Sequence, residues 1–384
     1  MSSPDPVSAG SGVDDGARDG ARDAAGDGAG DGADAAANGG PAGQPSWPEV
    51  LTALTGGQEL PRGLAGWAFG EILAGRAAPS QIAGLAVGLA VRGETAAEIG
   101  ALADAMLAHA VRITVAGRTL DVVGTGGDRA GTVNVSTMAA IVAAAAGARV
   151  VKHGNRAASS RSGSADTLEA LGVALTPRPE RVVEIAEQVG ITFCMAQAFH
   201  PALRHAAPVR RELGIRTFFN ALGPLTNPAG PDASLVGVAD RRMAALMADV
   251  FAARGVAALV VHGDDGLDEL TTTTTSTVWV VNAGSVRART VDPTAFGIAR
   301  AAPGDLRGGD ALVNAGIVRS VLDGARGPVR DIVMLNAAAA LAAESGFEGG
   351  LEVAIAGGLR RAAAAVDSGR AAQLLTRWAA ASRS

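Results

Sequence analysis

The segment LDVVGTGGDRAGTVNVST, Leu120 to Thr137, followed one helix later by ARVVKHG, limits the fold more than any other part of the chain. The apolar run RTLDVV breaks into glycines, the spacing then predicts a helix over Thr137–Ala146, and a second apolar run ends at Lys152–Gly154. Strand, glycine loop, helix, strand is a βαβ unit. It calls for a central sheet with ligands beyond the carboxyl ends of its strands.

Neither familiar phosphate-loop pattern fits this stretch. A dinucleotide fingerprint needs G-x-G-x-x-G, whereas Gly124, Gly126 and Gly127 are followed by Asp128 and Arg129, with the next glycine at Gly131; the closing G-K-[ST] of a Walker A loop is missing. The physical signal for phosphate remains. The glycines let backbone N–H groups turn toward an anion. Asn134, Ser136 and Thr137 place short polar side chains at a helix start, where free N–H groups and the helix dipole favour phosphate. Asp128 would repel a bare anion but can accept bonds from ribose hydroxyls or meet magnesium, so the expected ligand is a phosphorylated sugar. Arg129 stands where a further glycine is expected, and any side chain is uncomfortable at φ > 0.

One strand later, VVKHGNRAASSRSGSADTLEALG crowds Lys152, His153, Asn155, Arg156, Ser159, Ser160, Arg161 and Ser164 around Gly154 and Gly163. That density of donors reads as a clamp for several phosphate oxygens. Lys152 is the only lysine in the chain, against 32 arginines. Where arginine has displaced lysine so widely, the survivor marks a place that needs a compact, freely oriented ammonium. His153, between this lysine and Gly-Asn at a strand end, is expected to face the ligand. GDDGLDELTTT supplies Asp264, Asp265, Asp268 and Glu269; acid runs are commonly solvated loops, but an adjacent Asp268–Glu269 pair suits magnesium beside a diphosphate. FHPALRHAAPVRRELGIRTFFNALGPLTNPAG brings His200, Arg210 and Arg211, then Asn220, Gly223, Pro224 and Asn227 in a turn-rich stretch. An arginine there can grip the carboxylate of a second substrate.

The rest of the chain sets limits. Its 384 residues, 48% hydrophobic, are enough for two or three lobes with a real core. Residues 1–46 hold 11 glycines, 8 aspartates and 2 basic residues and read as a disordered acidic tail of charge −6 that serves solubility. The whole chain carries −5, so the remainder is near +1, which excludes a broad basic field for nucleic acid or an anionic membrane. MSSPDPVSAG has neither a charged nor an apolar leader region, and no apolar stretch reads as a membrane span; the expected location is cytoplasmic. The single Cys194 excludes an internal disulfide and a thiolate zinc cluster and reads as buried packing. SWPEVLTALTGG, with Ser46 as N-cap, opens a helical lobe continued over about Pro61–Ala74, Pro79–Val91 and Thr95–Ala110. Later helices are expected at Ser164–Leu171, Pro179–Val189 and about Met243–Arg254, and strands at ITFCMA, ALVVHG and TSTVWVV. The threonines of TTTTTST fit strand propensity.

Taken in order, GTGGD…TVNVST, VKHGNRAASSRSG, VRRELGIRTFFNALGPLTNP and HGDDGLDE resemble the anthranilate phosphoribosyltransferases, over about residues 47–380. The related pyrimidine nucleoside phosphorylases share a Lys-His and Ser-Ser-x-Ser-Gly run, but KHGNR with GPLTNP looks like the transferase. The resemblance implies a nucleoside phosphorylase/phosphoribosyltransferase-like α/β fold with a small all-helical N-terminal domain, active as a homodimer through the helical domains. The division expected is a tail over 1–46, a helical domain over 47–113 with a contribution from about 176–190, and an α/β domain over 114–384.

The resemblance also implies roles, residue by residue. Phosphoribosyl pyrophosphate would be held by Gly124, Thr125, Gly126, Gly127, Asp128, Thr132, Asn134, Val135, Ser136 and Thr137, together with Lys152, His153, Gly154, Asn155, Arg156, Ala157, Ala158, Ser159, Ser160 and Ser164. Two magnesium ions are implied, one at Ser136 and Glu269 and the other at Asp268 and Glu269. Anthranilate would meet Asn155 and Arg210, with His153 beside it and Gly124 where both substrates meet; His200 and Gly223 are further substrate-binding candidates. Lys152, His153 and Arg210 are the catalytic candidates. The chain departs from the family pattern at Arg129, where the loop ordinarily has glycine, and at Ala196–Gln197, where an Ala-Pro pair is usual. The competing readings are a pyrimidine nucleoside phosphorylase and a non-catalytic, nucleic-acid-binding relative of the same fold.

Overall fold

The computed structural model describes residues 44–156, 161–176 and 178–384. Four helices come first: α1 (Trp47–Thr55), α2 (Arg62–Leu73), α3 (Pro79–Arg92) and α4 (Ala96–Ala108). Their starts are written in the sequence. The Ser46 hydroxyl accepts the Glu49 N–H at the head of α1, and Thr95 and Glu98 form a reciprocal capping box on α4. The apolar faces meet in a core of Val50, Phe69, Ile72, Leu85, Leu89 and Leu102.

Beyond α4 the chain lays down β1 (Leu120–Gly124), α5 (Val135–Ala145), β2 (Val150–Gly154), α6 (Ser164–Ala170), α7 (Pro179–Val189), β3 (Ile191–Met195), α8 (Ala196–Phe199), α9 (Ala207–Leu213), α10 (Phe219–Leu225), β4 (Ala233–Gly237), α11 (Arg241–Ala253), β5 (Ala257–Gly263), β6 (Ser276–Asn282) and β7 (Ser285–Val291). Helices α12 (Ala311–Leu322), α13 (Pro328–Ser345), α14 (Leu351–Asp367) and α15 (Arg370–Arg383) complete it. The seven strands form one sheet in the order β3-β2-β1-β4-β5-β6-β7, parallel as far as β5 and antiparallel beyond. Both faces are covered. Along β5, Leu259 and Val261 enter one core with α5 and α13, while Ala258 and Val260 enter the other with α11 and the helical lobe. Among the described residues no helix is long and apolar enough to cross a membrane.

Two expectations change, and two strands appear that the sequence does not announce. The first five threonines of TTTTTST are not strand: Thr271 and Thr273 hydroxyls donate to the Asp265 carboxylate, and the strand starts only at Ser276. Hydroxyl-to-acid bonds compete there with the ladder. Strands β4 and β7 had no sequence signal; β7 is mostly exposed and carries Arg287 and Arg289, and joins β6 through Ala283 (φ 47) and Gly284 (φ 73), both left-handed as a tight hairpin requires. The segment about 176–190 does not join the helical lobe. Its helix α7 turns Val182, Ile185 and Ala186 toward β3 and α15, whereas the returning stretch that packs with the helical lobe is 206–225, where Phe218 and Phe219 lie 5.6 and 5.7 Å from the Phe69 ring.

Candidate active site

A cavity of about 380 Å³ opens beyond the carboxyl ends of β1 and β2. Its floor is the glycine loop. Gly126 (φ 69) and Gly127 (φ 82) take the left-handed backbone that turns their amides, and the Gly126 N–H donates to Oδ2 of Asp268 at 2.6 Å. Thr125 is fixed by its N–H on the Gly237 carbonyl at 2.9 Å and by its hydroxyl, which accepts the Ala239 N–H at 3.2 Å. Asp128 folds back to accept the Ala130 N–H. Arg129 does sit at φ 60; it is exposed and does not line the cavity.

Where the loop enters α5, the Ser136 N–H donates to Oε1 of Glu269 at 3.0 Å. Asn134 spends its side chain on Ser162, Thr167 and Asn314, so it braces the helix start instead of offering its amide to the cavity. Thr132 and Val135 line the wall, but Thr137 lies buried behind it, outside the lining. Two glycines make room for the acid pair: Gly124 and Gly237 stand opposite each other in the β1–β4 register, and Asp268 crosses over both. No local sequence signal marks Gly237, because none marks β4.

Lys152 is almost wholly enclosed. Its ammonium donates to the Val122 carbonyl and, at 3.3 Å, to the Ser136 hydroxyl. Burial pulls its pKa down, and the carboxylates of Asp121, Glu269 and Asp268 oppose that. Burial, then Asp128, pushes Asp268 up to about 8; burial, then Asp268, raises Glu269 well above the ordinary carboxylate range. Two neighbouring acids that cannot ionise comfortably together are relieved by a divalent cation. Among the described residues no group of three His, Cys, Asp or Glu is arranged as metal ligands. Magnesium does not require one, since it takes one or two carboxylates and completes its shell with water and substrate phosphates. The donor set of Ser136, Asp268 and Glu269 therefore fits magnesium.

On the opposite wall His153 donates from Nδ1 to the Gly223 carbonyl at 2.9 Å, which leaves Nε2 as an acceptor with no partner among the described residues. Burial first, then His200, drives its pKa down to about 3, so the ring is neutral. His200 lies behind it, ring centroids 5.3 Å apart, with Nε2 on the Thr226 carbonyl; it is buried outside the lining. Arg210, half-buried, holds its guanidinium 4.8 Å over the Phe219 ring, with no ion pair among the described residues. Arg211 is exposed. Gly154, Asn155, Arg156, Ser164 and Gly223 line the cavity, Arg156 with its guanidinium drawn onto Asp166 and Glu169 of α6. Ala157, Ala158, Ser159 and Ser160 lie outside the described residues. Of the unusual pair, Ala196 lines the cavity and Gln197 is exposed away from it. Arg216, unremarked in the sequence, rests its guanidinium against Gly127, where a Cβ would come 2.8 Å from Nη2.

The chain matches the model of the glycosyl transferase family α/β domain over residues 116–372 and that of the family's helical bundle domain over 48–110. It is 59% identical over 336 residues, 88% of this chain and 98% of the relative, to an anthranilate phosphoribosyltransferase of a Nocardioides species. Among solved structures it resembles the anthranilate phosphoribosyltransferase of Thermus thermophilus, with a TM-score of 0.81 and 45% identity over 87% of this chain and 99% of that one. It also resembles the Saccharomyces cerevisiae enzyme solved with phosphoribosyl pyrophosphate and magnesium, with a TM-score of 0.80 and 26% identity over 88% and 98% of the two chains.

Proposed function

The chain belongs to the anthranilate phosphoribosyltransferase family, and we propose that it moves the 5-phosphoribosyl group from phosphoribosyl pyrophosphate to the amine of anthranilate, releasing diphosphate. The observation that carries this reading is one cavity lined by the glycine loop, by Lys152–Arg156, by the Asp268–Glu269 pair and by an unpaired Arg210. Such a cavity suits a phosphorylated, diphosphate-bearing sugar on one side and an aromatic carboxylate on the other. Magnesium, bound as two ions by Ser136, Asp268 and Glu269, would supply charge neutralisation for the departing diphosphate.

The amine of anthranilate is a weak neutral nucleophile, so C1 of the ribose must gain cationic character as the bond to diphosphate lengthens, and it inverts on attack. The Lys152 ammonium, beside the Ser136 hydroxyl, and the loop backbone would stabilise that growing negative charge. Arg210, already oriented by Phe219, grips the carboxylate with a bidentate pair and aims the ortho amine at C1. Neutral His153 offers Nε2 as acceptor beside the amine, whose proton must leave once the new C–N bond forms. No covalent nucleophile is needed. In the same reading the enzyme is a cytoplasmic homodimer that serves tryptophan biosynthesis.

Purified protein given phosphoribosyl pyrophosphate, magnesium and anthranilate should consume anthranilate fluorescence, and chelation should stop it. Stable fluorescence, with phosphorolysis of a pyrimidine nucleoside instead, would sink the reading.

A further inference from the structure

Asp121, on the inner strand β1, is completely enclosed, and no step described above uses it. Both its oxygens are committed: Oδ1 accepts the backbone N–H of His153 at 3.1 Å, and Oδ2 accepts the Asn227 amide at 2.8 Å. Asn227 in turn donates to the Val151 carbonyl at 2.7 Å and accepts the Ala229 N–H at 3.0 Å. One buried carboxylate thus reaches both the end of β2 and the turn that follows α10. From each tie a short path leads to the cavity. The His153 ring is bonded to the carbonyl of Gly223, and Gly223 and Pro224 line the acceptor side.

A buried carboxylate is costly even when paired, and an apolar residue of similar size would fill the space without that cost. What the carboxylate adds is fixed geometry between two segments. The phosphate loop does not depend on it, because that loop is anchored separately by Gly126 on Asp268 and Ser136 on Glu269. The glycine loop and the acceptor wall are held by different sets of bonds, with β2 common to both.

We propose that Asp121 and Asn227 are a positioning pair that sets the acceptor wall, His153 and the Gly223–Asn227 turn, against the ends of β1 and β2, although neither residue lines the cavity. The identity of the acceptor rests on the function proposed above; the positioning itself does not.

Full-length wild type, Asn227→Ala and Asp121→Asn are compared by steady-state kinetics with phosphoribosyl pyrophosphate and anthranilate, and by imidazole ¹⁵N NMR without substrates. Asn227→Ala should raise the KM for anthranilate about tenfold or more, within the roughly 100-fold that a misplacement of about 1 Å can cost, and leave the KM for phosphoribosyl pyrophosphate within about threefold. Asp121→Asn also removes a charge facing Lys152 and should raise both. In both variants the Nδ1-protonated signal of His153 should move. Equal rises in the two KM values for Asn227→Ala, or no rise, overturn the proposal, as does a His153 signal unmoved in both variants. If wild type transfers nothing to anthranilate, the function fails and the imidazole signals still decide the positioning. Should Asn227→Ala not fold, Asn227→Ser is read in its place by the same criteria.

Discussion

Replacing Gly237 by alanine tests how the acid pair is held over the sheet. A Cβ on Gly237 would stand at less than half the ordinary non-bonded separation of about 3.5 Å from the Asp268 carbonyl oxygen, and 3.2 Å from the Glu269 nitrogen. Both neighbours are backbone, so no rotamer change relieves the overlap. The Asp268–Glu269 segment must shift by about 2 Å, whereas metal ligands tolerate roughly ±0.2 Å and a misplacement of about 1 Å can cost about 100-fold in rate. The expected result is a kcat/KM for phosphoribosyl pyrophosphate at least about 100-fold below wild type, with a raised magnesium requirement. Overpacking should cost about 1–3 kcal/mol of stability, so far-UV circular dichroism and a melting curve establish that the variant is folded. Gly304→Ala is the control, since a Cβ there meets nothing within 4 Å. A folded Gly237→Ala protein with activity within about threefold of wild type and an unchanged magnesium requirement would refute the reasoning.

Acidification should weaken the fold through the buried histidines. His200 is held at about 4 against about 6.5 when unfolded, so between these values the unfolded chain binds more protons and stability falls as pH drops. From pH 7 to pH 5 that loss is about 2 kcal/mol; His200→Gln keeps an N–H donor for Thr226 and should remove about that much of the pH dependence of urea unfolding, an identical dependence contradicting the assignment. Arg129→Gly trades left-handed strain of about 1–2 kcal/mol against glycine's entropy cost of roughly 0.5–1 kcal/mol. Stability should stay within about 1 kcal/mol and kcat/KM within about threefold, and a tenfold change in the KM for phosphoribosyl pyrophosphate would show that the guanidinium acts on the anion.

The parts of the site legible in the sequence are those whose chemistry is contiguous. Gly124–Ser136 and Lys152–Arg156 each announce a phosphate-bearing ligand within a few residues, and Asp268–Glu269 does so once a diphosphate is expected. Gly237 and Asp121 are different. Their importance comes from register, since Gly237 matters only because it faces Gly124 across a strand pair, and Asp121 only because Asn227 arrives beside it from a distant turn. Nothing local marks such positions. Thr137 and His200 carried the right residue types, yet the helix and the turn that bear them direct both side chains into packed interior. The threonine run misleads for a related reason, because propensity is blind to the two aspartates waiting a few residues upstream.

The solitary Lys152 also makes the protein its own reporter. Apart from the α-amino group, a reagent that acylates amines finds one side chain in the whole molecule, because every other basic side chain of the Lys/Arg kind is arginine. That amine is wedged between Val122 and Ser136, and Lys152 is one of the residues that line the cavity. Protection of that amine from acylation by a bound molecule would therefore measure occupancy of the cavity without any turnover.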